Sequence, residues 1–411
     1  MAGLHPVTIG TIEHKEIELK TRLISHLVAV SLVVSVTGCG KKESAEQSAS
    51  GVEIIKIGAV SPLTGPQAHL GKDNENGTRM AIDDANAKGI EIGGKKVQFQ
   101  LISEDDQADP KTATIVAQKL VDAKVNGIIG HLNSGTTIPA SRIYHDAGIV
   151  QISPSATNPK YTEQGFKSAF RVMTNDVQQG KVLGEYAVKQ LAAKKIAIID
   201  DRSAYGQGLA DEFEKAAKAA GAEIVSREYT TDKSTDFMAI LTAVKGKNPD
   251  LLFFGGMDAQ GGPMIKQFAT LGLKAKFLTG DGGSTPEFIK LSGGAAEGAY
   301  SSLPGVPLDK MPGGKAFADK FTAKYGQIQL YAPYCYDAVN VMISAMQKAG
   351  SADPVKYLPE LAKINLEGVT ANISFDEKGD IKGGAVTLYQ VKNGKWEVLE
   401  TITPGAAPAA K

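Results

Sequence analysis

The sequence predicts an α/β protein built as two doubly wound lobes. Short β-branched runs alternate with longer amphipathic stretches from residue 54 onward, the alternation breaks at a connector over 170–176, and it then restarts. The chain's 411 residues also exceed what one ordinary domain of roughly 100–200 residues needs.

Taken in order, 54–60 (IIKIGAV) reads as a strand and 77–87 as a helix. The β-branched run 97–103 is the next strand and 110–124, opened by Pro110, the next helix. The apolar run 127–130, a helix over 138–146 and a strand over 149–153 complete the first lobe, whose last strand ends in a loop rich in Pro, Ser and Thr. Beyond the connector come helix 178–192, strand 196–200, helix 208–220, strand 223–229, helix 237–244, strand 251–254, helix 263–271 and strand 276–279. Later helices are expected at 315–325, 332–349 and 355–364. Strand-like segments follow at 371–375 and 385–390, with an Asn393-Gly394 turn before Trp396 that marks a hairpin.

Composition removes several classes of function. Lys+Arg and Asp+Glu both number 45 and no basic stretch stands out, so nucleic acid is not an expected partner. The two cysteines, Cys39 and Cys335, lie far apart and fit neither a metal site nor a redox pair; Cys335 reads as a small buried hydrophobe in a helix. Gly206, Gly208 and Asp211 only approach a dinucleotide fingerprint, and residues 130–134 do not make a nucleophile elbow. The histidines show no metal pair or triad partner; His69, His131 and His145 read as surface or loop residues. No catalysis, cofactor or metal is expected.

The N-terminal region reads as an export signal. Lys20 and Arg22 precede an apolar run over 23–36, too short for the roughly 20 residues of a membrane-crossing helix. It ends in Val36-Thr37-Gly38-Cys39, which resembles the bacterial lipobox whose Cys is lipidated and becomes the mature N-terminus. Residues 1–38 are therefore expected to be a lipoprotein signal peptide and 39–52 a polar tether, of which 40–50 reaches roughly 18 Å as a coil. Glu13, Glu16 and Glu18 ahead of the apolar run suggest that translation starts further downstream. The destination is the periplasm or the cell surface, with membrane contact through the lipid.

In open parallel sheets, ligands bind beyond the carboxyl ends of the strands. Here those loops are 61–71, 131–137, 154–159, 201–206, 255–262 and 280–286, rich in Ser, Thr, Gly and aromatics, which suits a small polar ligand between lobes.

The segments GAVSPLTGPQAHLG (58–71), EDDQADP (104–110), GHLNSGTTIPA (130–140), SPSAT (153–157), YGQGL (205–209) and FDEKGD (375–380) together resemble the leucine/isoleucine/valine-binding protein family. The resemblance runs from about residue 53 to 396. It implies the type I periplasmic binding protein fold: two Rossmann-like lobes, 53–175 with 304–384 and 176–303 with 385–400, joined by three hinge crossings, followed by a flexible tail over 401–411. It also implies a monomer that closes on an amino acid, branched-chain or otherwise apolar, for delivery to the permease of an ABC transporter. The same fold could instead serve as a receptor module for a sensor, or bind an amide, a urea-like compound or an aromatic acid.

By the family pattern, Ser134 and Thr157 would donate hydroxyls to the ligand carboxylate, with backbone amides around Ala156 beside them, and the Ser155 carbonyl would accept from the ammonium. Asp281, where the family usually has the longer Glu, would supply the countercharge, and Tyr205 would be a contact from the second lobe. Leu70, Asn133, Met257 and Tyr331 would form the side-chain pocket, Leu70 and Met257 replacing aromatic residues common there. The disulfide of some relatives would fall at Ala108 and Asn133 and is absent. Both complements are needed, because a zwitterion that leaves water in a closed cleft must recover its hydration through charge-assisted hydrogen bonds.

Overall fold

The computed structural model describes residues 52–403, and Cys39, the signal and tether segments and the end of the tail lie outside them. The first passage of the chain gives β1 (Glu53–Ser61), α1 (Ala68–Lys88), β2 (Glu91–Ile92), β3 (Lys95–Asp105), α2 (Pro110–Asp122), β4 (Gly127–Gly130), α3 (Ser134–Asp146), β5 (Gln151–Ser153), α4 (Lys160–Glu163) and β6 (Ala169–Arg171). These strands make a six-stranded sheet in the order β2-β3-β1-β4-β5-β6. It is parallel except for the short antiparallel edge strand β2.

The second passage runs through α5 (Asp176–Lys189), β7 (Lys195–Asp200), α6 (Ala204–Ala219), β8 (Glu223–Tyr229), α7 (Met238–Gly246), β9 (Leu251–Gly255), α8 (Asp258–Thr270), β10 (Lys276–Thr279), α9 (Pro286–Ser292) and β11 (Tyr300–Pro304). The chain then returns to the first lobe with α10 (Gly314–Tyr325), α11 (Ala332–Ala349), α12 (Pro354–Ala362) and the small pair β12 (Leu366–Glu367) and β13 (Asn372–Ile373), α10 and α11 packing on α1. It ends in the second lobe as a hairpin of β14 (Val386–Lys392) and β15 (Lys395–Ile402). The second sheet has the order β15-β14-β11-β10-β9-β7-β8. The chain therefore passes between the two sheets three times: after Arg171, after Pro304 and before Val386.

Local chemistry sets these elements. The central strands β4 and β9 are apolar on both faces and wholly buried, as expected where helices cover a parallel sheet on both sides. Asp109 caps α2 by accepting from the amides of Lys111 and Thr112, with Pro110 pre-set at the first helical position. Asn175 and Ser203 cap α5 and α6 in the same way. Gly180 and Gly184 allow α5 to lie directly on α6, where a Cβ on Gly184 would sit 2.6 Å from that of Ala216.

The structure departs from the sequence expectations in several places: α3, α6 and α8 start four or five residues early, and β2, α4, β6 and α9 are not among the expected elements. Helix α1 starts at Ala68, nine residues before the expected 77, because the polar residues Asp73 and Asn74 are buried rather than solvated. Strand β11 has too little apolar pattern to be legible, yet its Ser301 and Ser302 are buried between β10 and β14. The 371–375 segment is a strand only at Asn372–Ile373, whereas the hairpin expected at Asn393-Gly394 is present, made by β14 and β15. Strand β15 continues to Ile402, two residues into the expected tail, because Thr401 pairs with Thr387 and Ile402 with Val386. Cys335 is a free, buried cysteine, and among the described residues no helix is long and apolar enough to cross a membrane.

Candidate functional site

The loops at the carboxyl ends of both sheets converge on one small cavity of about 10 Å3, lined by Leu132, Asn133, Ser134, Ser155, Tyr205, Met257, Asp281 and Tyr331. That volume holds roughly one water, so the lobes must part to admit a larger ligand. Three side-chain contacts join the lobes around it: the Tyr331 hydroxyl donates to Asp281 Oδ2 at 2.7 Å, His69 Nε2 lies 2.7 Å from Asp258 Oδ2, and Asn158 Nδ2 donates to the Ala204 carbonyl at 2.5 Å.

Two helices present free ends here. Asn133 and Met257 stand at the N-caps of α3 and α8 without capping through their side chains, whereas α2, α5, α6, α9 and α12 are capped by theirs. The first turn of α3 therefore keeps N–H groups and a positive dipole end beside Ser134, a setting that favours an anion. Ser134 Oγ accepts from the Asn158 amide at 3.1 Å, which leaves its hydroxyl proton to donate. Ser155 Oγ instead donates to the Leu132 carbonyl at 2.9 Å and fastens the 153–158 loop to the start of α3.

Across the cavity, Asp281 opens a short 3₁₀ turn after β10 and is 1% exposed. Its Oδ1 accepts from Tyr205 OH at 2.7 Å and Gln179 Nε2 at 3.0 Å, and its Oδ2 accepts from Tyr331 OH. A carboxylate offers about four acceptor sites, so Oδ2 retains capacity for a cation. Burial pushes the Asp281 carboxyl above its usual range, and the donations from Tyr331, Tyr205 and Gln179 offset only part of that rise. Burial, followed by the Asp281 charge, pushes both phenols well above their ordinary value, so Tyr205 and Tyr331 stay donors. The main chain of Tyr331 is fixed in turn by Asp73, whose carboxylate accepts from the amides of Gln329, Leu330, Tyr331 and Ala332 at 2.9–3.0 Å.

The fold thus brings Asn133, Ser134, Ser155, Tyr205, Met257, Asp281 and Tyr331 around one cavity. Leu70, Ala156 and Thr157 do not line it. Leu70 is turned into the core by the early start of α1, and the Ala156 amide is taken by Ser153 Oγ at 2.9 Å. Thr157 is wholly buried with its hydroxyl beside the Asp176 carboxyl. Two histidines also depart from expectation: His131 is fully buried between Asp106 Oδ2 and the Tyr144 hydroxyl, and His69 bridges to Asp258. Gln179 and Asp73 carry no local sequence signal, since each joins the site through partners distant in the chain, whereas Leu132 lies within the expected loop 131–137 beside Asn133 and Ser134. Among the described residues, no group of His, Cys, Asp and Glu could hold a metal ion.

Two α/β lobes that meet over an anion-favouring helix end on one side and a buried carboxylate on the other define a two-lobed binding protein for a small solute. Residues 54–395 match the periplasmic binding protein family. The chain is 37% identical over 347 residues to Leu/Ile/Val-binding protein homolog 1 of Brucella abortus, covering 84% of this chain and 90% of that one. Its fold matches the branched-chain amino acid transporter substrate-binding protein LivJ of Streptococcus pneumoniae, solved in complex with isoleucine, with a TM-score of 0.78, 30% identity and coverage of 86% and 100%. It also matches, at a TM-score of 0.77, 21% identity and coverage of 87% and 98%, a solute-binding protein from R. palustris solved in complex with benzoate, a likeness of fold alone. The chain belongs to the leucine/isoleucine/valine-binding protein family, the extracytoplasmic substrate-binding proteins of branched-chain amino acid ABC transporters.

Proposed function

We propose that this protein is a monomeric, lipid-anchored binding protein, held at the membrane through Cys39, that captures an apolar amino acid and delivers it to an ABC permease. The observation that carries the reading is the polarity of the cleft: the start of α3 with Ser134 on one lobe, and Asp281 with an open acceptor site on the other. That pair complements the carboxylate and ammonium of an α-amino acid. The first lobe takes the zwitterion while the lobes are apart, and closure adds Tyr205 and Asp281, shifting the population toward the form that the permease reads. Met257 and the ring of Tyr331 offer the side chain an apolar wall, and the Leu/Ile/Val-binding protein homolog and the isoleucine-bound LivJ support that cargo.

A second reading rests on the three hydrogen bonds that Asp281 already accepts within the protein. If they satisfy it fully, the ligand needs no ammonium, and an aromatic acid of the kind carried by the benzoate-bound neighbour would suffice. A thermal-shift screen of residues 51–411 against the twenty amino acids, simple amides, urea and benzoate separates the two. Stabilisation by leucine, isoleucine or valine, followed by calorimetric binding, supports the first reading. Silence from every amino acid with a response to benzoate rejects it.

A further inference from the structure

The FDEKGD segment lies away from the cavity, yet its last residue is tied to the site by a chain of short contacts. Arg171, at the end of β6, is wholly buried. Its Nε lies 2.5 Å from Asp380 Oδ1, its Nη2 donates to Thr162 Oγ1 at 2.7 Å, and its Nη1 donates to the carbonyls of Ala156 at 2.7 Å and Asn158 at 3.0 Å. One guanidinium thus holds the ligand loop by the two carbonyls on either side of Thr157. Held in this way, Asn158 gives its amide to Ser134 Oγ, which orients the hydroxyl that lines the cavity.

Asp380 extends the connection to the other lobe. Its Oδ1 also accepts from Thr162 Oγ1 at 2.9 Å, and its Oδ2 accepts from Asn175 Nδ2 at 3.0 Å. Asn175 is the N-cap of α5, the helix whose Gln179 donates to Asp281. The two partners stand on different crossings between the lobes, Arg171 before the first and Asp380 before the third, and the Arg171 amide donates to the Gly379 carbonyl at 3.0 Å.

We propose that Arg171 and Asp380 are positioning residues of the ligand site, touching no ligand but fixing the 155–158 loop and the start of α5 in the binding arrangement. Stability alone is a weak reason for such a pair, because desolvating two charges offsets much of their attraction and apolar replacements often match it. Geometry is a better one. The planar guanidinium fork directs five N–H groups along fixed lines, which a lysine cannot reproduce.

The proposal rests on the amino-acid reading for its ligand, and its test separates the two. Asp380→Asn and Arg171→Lys are compared with the full-length wild type in three measurements: ligand-free melting temperature, calorimetric affinity for L-leucine, and hydrogen exchange of the amides of 155–158 without ligand. The expected result is folded variants, with Asp380→Asn melting several degrees lower because the buried Arg171 loses its countercharge, together with at least 10-fold weaker L-leucine binding and at least 10-fold faster exchange across the loop. Wild-type affinity and loop exchange in variants that melt lower would overturn it, as would failure of both variants to fold, since the pair would then hold the fold rather than the loop. If the wild type itself does not bind L-leucine, the cargo assignment falls, and the exchange measurement still decides the role of the pair.

Discussion

Asp281 keeps its charge accessible because its donors are neutral. Two phenols, each pushed up by burial and by this carboxylate, and one amide stabilise the anion without neutralising it. Asp281→Asn is therefore expected to weaken amino-acid binding by at least 30-fold by calorimetry, the low end of the roughly 2–5 kcal/mol lost when one partner of a buried charged pair is removed. His69 adds a pH dependence to closure. Burial opposes its charge, but the hydrogen bond and charge of Asp258, with Glu287 beyond, outweigh burial and hold its pKa above 6.5. A raised pKa means that the contribution is complete below 6.5, the value expected once the lobes part, and is lost as pH rises through the closed-state value. Ligand affinity measured from pH 5.5 to 8.5 should thus fall with rising pH in the wild type, and His69→Gln should flatten that limb.

Helix ends and helix contacts position these side chains. Asp73 on α1 takes four successive amides at the start of α11, so Asp73→Ala leaves those donors without their buried acceptor. Urea unfolding should show a loss of about 3 kcal/mol, since hydrogen bonds to charged groups contribute about 1.5–3 kcal/mol each and the freed amides recover only part of that from water. Ligand affinity should fall with it, because Tyr331 sits within the same turn. At the contact of α5 with α6, a Cβ on Gly184 would meet the Ala216 side chain and the backbone at Phe213 and Ala217. Gly184→Ala is expected to cost about 1–3 kcal/mol by the same measurement, as overpacking does in a close contact.

At the scale of the whole molecule, the proposed function makes binding and closure one equilibrium. The lobes touch through Tyr331–Asp281, His69–Asp258 and Asn158–Ala204, and a ligand that bridges Ser134 and Asp281 adds to those contacts only when the lobes are together. At a free concentration 100 times its Kd, such a ligand should raise the unfolding free energy by about 2.7 kcal/mol, read as a concentration-dependent melting temperature.

Alternation of apolar runs and amphipathic stretches was enough to determine two parallel-sheet lobes, because the periods of strand and helix are written in adjacent residues. The resemblance carried by the loop motifs named Ser134, Ser155, Tyr205, Asp281 and Tyr331, and the structure brings these five around one cavity. Strand β11 was not legible, because its serines are buried by β10 and by β14, which returns from the end of the chain. The same reason hid Gln179 beneath Asp281, Asp73 beneath Tyr331 and His69 beside Asp258, and turned Leu70 and Thr157 away from the cavity. Sequence period reports what a residue does along its own element. Which polar groups meet across 100 residues or more is decided only when the lobes pack and every buried donor must find its acceptor.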